Sequence, residues 1–253
     1  MTARDIIKWR LNGGENIAER SDMKHLFIVN PISGKGRATK YISQINDYFS
    51  QSDDEYIIRI TEKPGHATEI ARQFSSAGVY RIYSVGGDGT LNEVLNGMAG
   101  TECSLASIPG GSGNDFIRSI AGEYSCKDIL ARTIKGTEKK IDIGRINGRY
   151  FLNISSLGFD AEVVYSARRL KKLPAVSGGM AYAMSVFISV FKSRSRSTMI
   201  SIDEKCMNKK TLLIAAANGR FYGGGMMPAP AAEVDDGRLD ICVVGEVGIL
   251  RIL

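Results

Sequence analysis

Histidine occurs only twice among the 253 residues, as His25 and His66. Two such isolated imidazoles are too few to suggest a metal cluster. The four cysteines, Cys103, Cys126, Cys206 and Cys242, are scattered and form no CxxC pair. That pattern argues against a structural zinc site and fits free thiols in a reducing compartment. No apolar run is long enough to span a bilayer. The longest helix-like one, Met180 to Phe191, falls short of the roughly 20 residues a spanning helix needs. The N-terminus carries Arg4, Asp5, Lys8 and Arg10 around Trp9 and lacks the apolar centre of a signal peptide. These absences predict a cytoplasmic protein. Internal repeats are absent, and low complexity is confined to the basic serine run Lys192 to Ser197. Aromatic residues do not interleave with the basic ones, so no nucleic-acid partner is expected.

What is present is an ordinary globular composition, 43% apolar, in a chain long enough for one large or two small domains. The net charge of +6 is unevenly placed. Between Tyr165 and Ile202 stand Arg168, Arg169, Lys171, Lys172, Lys192, Arg194 and Arg196, with no acid among them. Anionic partners follow: a nucleotide or an anionic membrane surface. Met180 to Phe191, flanked by basic residues, reads either as a membrane-touching element or as an ordinary core helix, and in both readings its basic rim would attract anionic lipid.

From Met23 to about Ile143 apolar strands alternate with helical patterns. Strands are expected at 26–29, 56–60, 79–85 and 105–108, and helices at 37–49, 66–77, 90–98, 114–120 and 125–134. This alternation predicts a doubly wound α/β layer on a parallel sheet. After Ile141 the texture changes to short strands, at 143–146, 149–155, 199–202, 211–217 and 238–244, with one helical insertion at about 160–192. Asn147-Gly148 signals a type I′ hairpin. The predicted organisation is a polar extension over residues 1–22, a nucleotide-binding α/β domain over 23–142, and a mostly antiparallel β domain over 143–253.

Three of the expected strands run into glycine-rich turns followed by helices. The first meets Asn30-Pro31-Ile32-Ser33-Gly34-Lys35-Gly36. Another ends at Gly86-Gly87-Asp88-Gly89-Thr90, followed by Leu91-Asn92-Glu93. The last of them meets Pro109-Gly110-Gly111-Ser112-Gly113-Asn114-Asp115. Glycine lets the backbone approach a ligand closely, and the helix N-termini offer N–H groups to an anion. In a parallel sheet the carboxyl ends of strands share one edge, where ligands bind. Each loop alone reads equally well as an ordinary strand–turn–helix corner, with Asn30, Ser33, Asn114 and Asp115 as helix caps. Three on one edge favour phosphate binding. Asp88 inside such a turn makes sense if it works through Mg²⁺. His66 is read as a helix-start residue.

These three loops resemble those of the diacylglycerol kinase catalytic domain, and more narrowly the soluble bacterial lipid kinases of that family. Asn218-Gly219-x-Phe221-x-Gly223-Gly224-Gly225 and Pro228-x-Pro230-x-Ala232-x-x-Asp235-Asp236-Gly237-x-Leu239-Asp240 extend the resemblance in the family's order, from about Met23 to the last residue. It implies an NAD-kinase/diacylglycerol-kinase-like fold and ATP-dependent phosphorylation of a lipid hydroxyl, with diacylglycerol the first expectation. The cofactors implied are ATP and Mg²⁺. ATP contacts are implied for Asn30, Pro31, Ser33 and Gly34, for Thr61, and for Gly86, Gly87, Asp88, Gly89 and Thr90. Asn92, Glu93, Ser112 and Asn114 complete that set, with Asp88 arranging the phosphates through the metal. A structural Mg²⁺ is implied at the Asp236 side chain and the carbonyls of Glu233 and Arg238. Asp115 is left structural. The implied partner is a lipid at an anionic membrane surface, with peripheral association, and there is room for a homodimer. Family members continue for several tens of residues and carry a glutamate as general base there, so weak turnover is expected of these 253 residues. Two other readings stay open: an NAD kinase, and a non-catalytic nucleotide- or lipid-binding protein.

Overall fold

A computed structural model describes residues 5–11, 24–121, 128–170 and 195–247. The chain divides into two compact units, one of residues 1–154 and 218–239 and the other of residues 155–217 and 240–253.

The first unit is built on a seven-stranded sheet. Its elements are β1 (Asp5–Leu11), β2 (Lys24–Val29), α1 (Lys40–Phe49), β3 (Tyr56–Ile60), α2 (His66–Ala77), β4 (Tyr80–Gly86) and α3 (Asp88–Met98). β5 (Ser104–Pro109), α4 (Asp115–Ala121), α5 (Ile129–Lys135), β6 (Thr137–Ile146) and β7 (Arg149–Phe151) follow. The strand order is β3-β2-β4-β5-β1-β6-β7. β3, β2, β4 and β5 pair in parallel, as the alternating pattern predicts.

β2 is apolar at every position from Leu26 to Val29 because both sheet faces are covered. Successive side chains point to opposite faces. Leu26 and Ile28 join Ile70 and Ala71 of α2 and Leu91, Val94 and Leu95 of α3 in one core. Phe27 and Val29 join Ile45 and Phe49 of α1 and Leu130 and Ile134 of α5 in the other. From β2 the chain passes first to β3 on one side and then to β4 on the other. The strand order therefore reverses at β2, and the loops after β2 and β4 flank that switch point.

The second unit carries a smaller sheet. β8 (Ile154–Gly158), α6 (Phe159–Leu170), β9 (Arg196–Ile202), β10 (Lys205–Ala217) and β11 (Asp240–Gly245) complete the chain. The sheet order is β11-β10-β8, with β9 also paired to β10. β10 pairs antiparallel with both β9 and β11. The hairpin turn between β6 and β7 has φ of 48° at Asn147 and 80° at Gly148, the two positive values a type I′ turn requires.

Three expectations need correction. Asp5–Leu11 is not an extension outside the sheet. It is β1, parallel to β5 and antiparallel to β6. Its alternation of Ile7, Trp9 and Leu11 with charged Lys8 and Arg10 is a strand signal. β6 begins at Thr137, six residues before the expected 143. The polar stretch Thr137 to Asp142 has little strand character of its own, and becomes strand because β1 runs opposite it from Leu11↔Thr137 to Ile6↔Asp142. Third, a domain boundary at 142/143 would cut β6, and residues 218–239 return to the first unit. That return is fixed by hydrogen bonds. Asn218 Nδ2 donates to Asp142 O at 2.8 Å and Leu152 O at 2.9 Å, and Asp142 N donates to Val234 O at 2.7 Å. The Met180–Phe191 helix and the side chains at 168–172, 192 and 194 lie outside the described residues.

Candidate functional site

Parallel pairing brings the three loops level, with Val29 opposite Val85 and Gly86 opposite Pro109. The loop after β2 turns through three successive left-handed residues, Gly34 (φ 58°), Lys35 (60°) and Gly36 (88°). A side chain at Gly34 is barred twice over, by that φ and by the carbonyl oxygen of Gly110, 2.1 Å from where a Cβ would lie. At Gly111 a Cβ would lie 2.4 Å from the Gly87 Cα. The glycines thus let the first loop touch the third, and the third touch the second.

Asn30 and Ser33 make no side-chain cap on the helical turns that follow. Asn30 Nδ2 instead donates to Thr90 Oγ1 at 2.9 Å, joining the first loop to the second. α3 also starts without a side-chain cap. Its first helical bond is Leu91 N to Gly87 O, so the N–H groups of Asp88, Gly89 and Thr90 have no acceptor among the described residues and face the site open to an anion. Asn114, at φ 53°, accepts from Gly111 N through Oδ1 at 3.0 Å and shapes the third loop. Ser112 on that loop is exposed.

Two cavities flank the first turn of α3. One, of about 300 Å³, is lined by Asn30, Pro31, Ser33, Thr61, Gly87, Gly89, Thr90 and Glu93, with Glu62, Lys63 and Pro64 at its side. Eight residues expected to hold a nucleotide meet there. The other, of about 230 Å³, has apolar walls from Leu91, Phe116, Phe151, Leu152 and Ile154. Asp88, Asn92, Asp115 and Tyr222 give it a polar side. Consecutive residues of one turn therefore serve both: Gly87 and Gly89 line the first cavity and Asp88 the second. The expected residues Gly34, Gly86, Ser112 and Asn114 line neither. A wider groove of about 540 Å³ between α1 and α5 shares no residue with the loops.

Asp88 is more constrained than its turn position suggests. Its Oδ2 accepts from Asp115 N and its Oδ1 from Phe116 N, both at 3.1 Å. The carboxylate therefore holds the start of α4 as well as lining the second cavity. Asp115, read from the sequence as structural, lies in the same wall with only 6% of its surface exposed. Its Oδ2 accepts from Gly224 N at 2.8 Å, and Arg118 Nη1 stands 3.5 Å from its Oδ1. Burial pushes its carboxyl above the ordinary range against the Gly224 N–H, and the Asp88 charge adds to the rise. An aspartate after asparagine at a helix start looks like a cap. Only the packing of residues 222–224 on α4 reveals its surroundings.

Around the expected metal loop, Asp142 Oδ2 accepts from Gly237 N at 2.7 Å, and Asp236 Oδ1 accepts from Arg238 N at 2.9 Å. Lys139 pairs with Asp235 at 2.5 Å. Burial raises the Asp142 carboxyl, the Gly237 N–H opposes this, and the charges of Asp236 and Asp235 push it further up. Among the described residues no three histidine, cysteine or acidic side chains converge as a metal cage. A cation here would take backbone carbonyls and water beside one carboxylate. Such an all-oxygen donor set suits Mg²⁺, and the crowded acids would welcome the charge.

A parallel sheet with open helix-terminal amides at its switch point, beside a half-apolar cavity lined by two carboxylates, is an α/β arrangement that suits phosphoryl transfer. Comparison with known families matches residues 24–146 to the diacylglycerol kinase catalytic domain. Residues 153–253 match the YegS C-terminal NAD kinase beta sandwich-like domain. The chain is 30% identical to the diacylglycerol kinase of Bacillus subtilis strain 168, covering 89% of this chain and 75% of that one. It is 28% identical to a "Probable lipid kinase YegS-like" of Chromohalobacter salexigens, covering 87% and 71%. Among solved structures, a diacylglycerol kinase from Bacillus anthracis strain Sterne superposes with a TM-score of 0.65 at 26% identity, over 92% of this chain and 77% of that one. The chain belongs to the diacylglycerol kinase catalytic-domain family and is a lipid kinase of that family.

Proposed function

We propose that this chain transfers the terminal phosphoryl group of ATP to the hydroxyl of diacylglycerol, forming phosphatidic acid. The observation that carries the reading is the turn Gly87-Asp88-Gly89, which lines a loop-rich cavity on one side and a half-apolar one on the other. A nucleotide in the first cavity would lay its phosphates along the free amides of α3. An alcohol on an apolar chain fits the second. The two carboxylates there oppose a headgroup phosphate beside the acceptor hydroxyl, which favours a neutral glyceride over phosphatidylglycerol.

The reaction is mostly positioning and charge neutralisation. The lipid oxygen bonds to the terminal phosphorus as the bridging P–O bond to the departing ADP breaks. The hydroxyl proton passes to Asp115, whose carboxylate lines the half-apolar cavity that would take the alcohol. Asp88 holds α4, and with it Asp115, in place. Mg²⁺ would be held by the Asp236 side chain and the carbonyls of Glu233 and Arg238. When bound, it supplies positive charge that neutralises the acids at 142, 235 and 236.

The test is a transfer assay with labelled ATP and Mg²⁺ against diacylglycerol, phosphatidylglycerol, a sphingoid base, a polyprenol and NAD. Labelled phosphatidic acid from diacylglycerol is the expected product. Preferential labelling of NAD would establish the NAD kinase reading instead. ATP binding without transfer to any acceptor would leave a nucleotide-binding protein.

A further inference from the structure

Arg37 stands outside every role assigned so far, yet it joins two of the three loops. Its Nε donates to Gly34 O at 3.2 Å and its Nη2 to Gly111 O at 2.7 Å. One guanidinium thus spans the loop after β2 and the loop after β5. A fork of fixed geometry can hold two acceptors at a set separation.

The consequence follows from the peptide plane. In a trans amide the carbonyl of one residue and the N–H of the next point in opposite directions. With Gly34 O and Gly111 O drawn to Arg37, the N–H groups of Lys35 and Ser112 are turned away from it. Neither N–H donates to any acceptor among the described residues. An anion site lined by backbone must keep carbonyl oxygens averted and amide hydrogens presented. Arg37 does both, at the points where the first and third loops meet. Its hydrogen bonds among the described residues go to these two carbonyls, Gly111 O accepting from Asn114 Nδ2 at 3.1 Å as well, and the left-handed run from Gly34 to Gly36 is the conformation its side chain closes.

We propose that Arg37 is a positioning residue for the nucleotide phosphates. By tying Gly34 O to Gly111 O, it aims the Lys35 and Ser112 amides at the phosphate chain and sets the distance between the two loops. This rests on the reading of the site as a nucleotide site. Because the role lies in the fork and not in charge alone, lysine cannot substitute for it.

The experiment measures binding of ATP–Mg²⁺ and of adenosine to the parent chain, Arg37→Gln and Arg37→Lys, with thermal melts of each. KM for ATP and kcat are followed wherever turnover is measurable. Both variants are expected to bind ATP about tenfold more weakly, equivalent to about 1.4 kcal/mol. Adenosine affinity should be unchanged, and KM should move more than kcat. Free guanidinium should restore part of the ATP affinity in Arg37→Ala. Equal ATP affinity in the parent and Arg37→Gln would overturn the proposal alone. So would equal losses for ATP and adenosine, which mark a merely structural residue, or full affinity in Arg37→Lys, which marks simple charge attraction. A parent that binds no ATP would overturn the nucleotide reading and this proposal with it.

Discussion

Two aspartates of the second cavity divide their work by what surrounds each. Asp88 accepts from two consecutive amides at the start of α4, so its removal costs structure as well as chemistry. Asp88→Ala should lower stability by about 1–2 kcal/mol, as loss of a helix-capping carboxylate does, and abolish phosphoryl transfer. Asp88→Asn keeps one acceptor oxygen and should recover part of the stability without the activity. Urea unfolding alongside the transfer assay separates the two effects, and an Asp88→Asn protein with parental kcat would remove Asp88 from the machinery. Asp115 has its pKa raised above the ordinary value of 3.8, chiefly by burial. A raised carboxyl binds its proton more tightly in the folded state. Stability therefore falls as pH climbs from about 3.8 through the folded pKa, and stays lower above it. Asp115→Asn should lack this decline, so the variant-minus-parent difference in unfolding free energy should grow across that window and then level off. A flat difference profile would show that the carboxyl is not perturbed.

The three loops are a joint device in which backbone meets backbone. Gly111 lies against Gly87, and no flexible side chain stands between them to give way. Gly111→Ala should push the second and third loops apart, weaken ATP binding by an order of magnitude or more, and leave the circular dichroism of the helices near parental. Unchanged ATP affinity would mean that the close approach is incidental to the ligand. The same logic explains which loop residues were legible beforehand. Asn30 and Thr61 directly follow β2 and β3, and Thr90 lies in the first turn of the helix after β4, where position follows from the strand itself. Arg37 was not legible, because its importance lies in reaching Gly111, 74 positions away in the chain.

At the scale of the whole molecule, the positive charge concentrated between Arg168 and Arg196 is the feature that would bring a lipid kinase to its substrate. Sedimentation with anionic vesicles should weaken as salt rises, since the Debye length is only about 8 Å at physiological ionic strength. Replacing Arg168, Arg169, Lys171 and Lys172 with Gln should cut binding by about 1 kcal/mol per charge or less. Binding indifferent to both would exclude this stretch as the docking surface. No helix among the described residues is long and apolar enough to cross a membrane.

The sequence by itself determined the parallel sheet, the bounds of α2 and β3, the Asn147-Gly148 turn and the three loops on one edge. Each depends on short-range chemistry: apolar periodicity, glycine at forced backbone angles, a strand that must end where its apolar run ends. Tertiary structure alone decided the rest. Thr137 to Asp142 became strand because β1 lies beside it. Residues 218–239 joined the first unit because Asn218 finds carbonyls on β6 and at Leu152. Asp115 and Asp142 acquired raised pKa values from burial and from acids distant in sequence. Ladder partners, desolvation and charge neighbours are supplied by residues tens of positions away, and no local pattern encodes them.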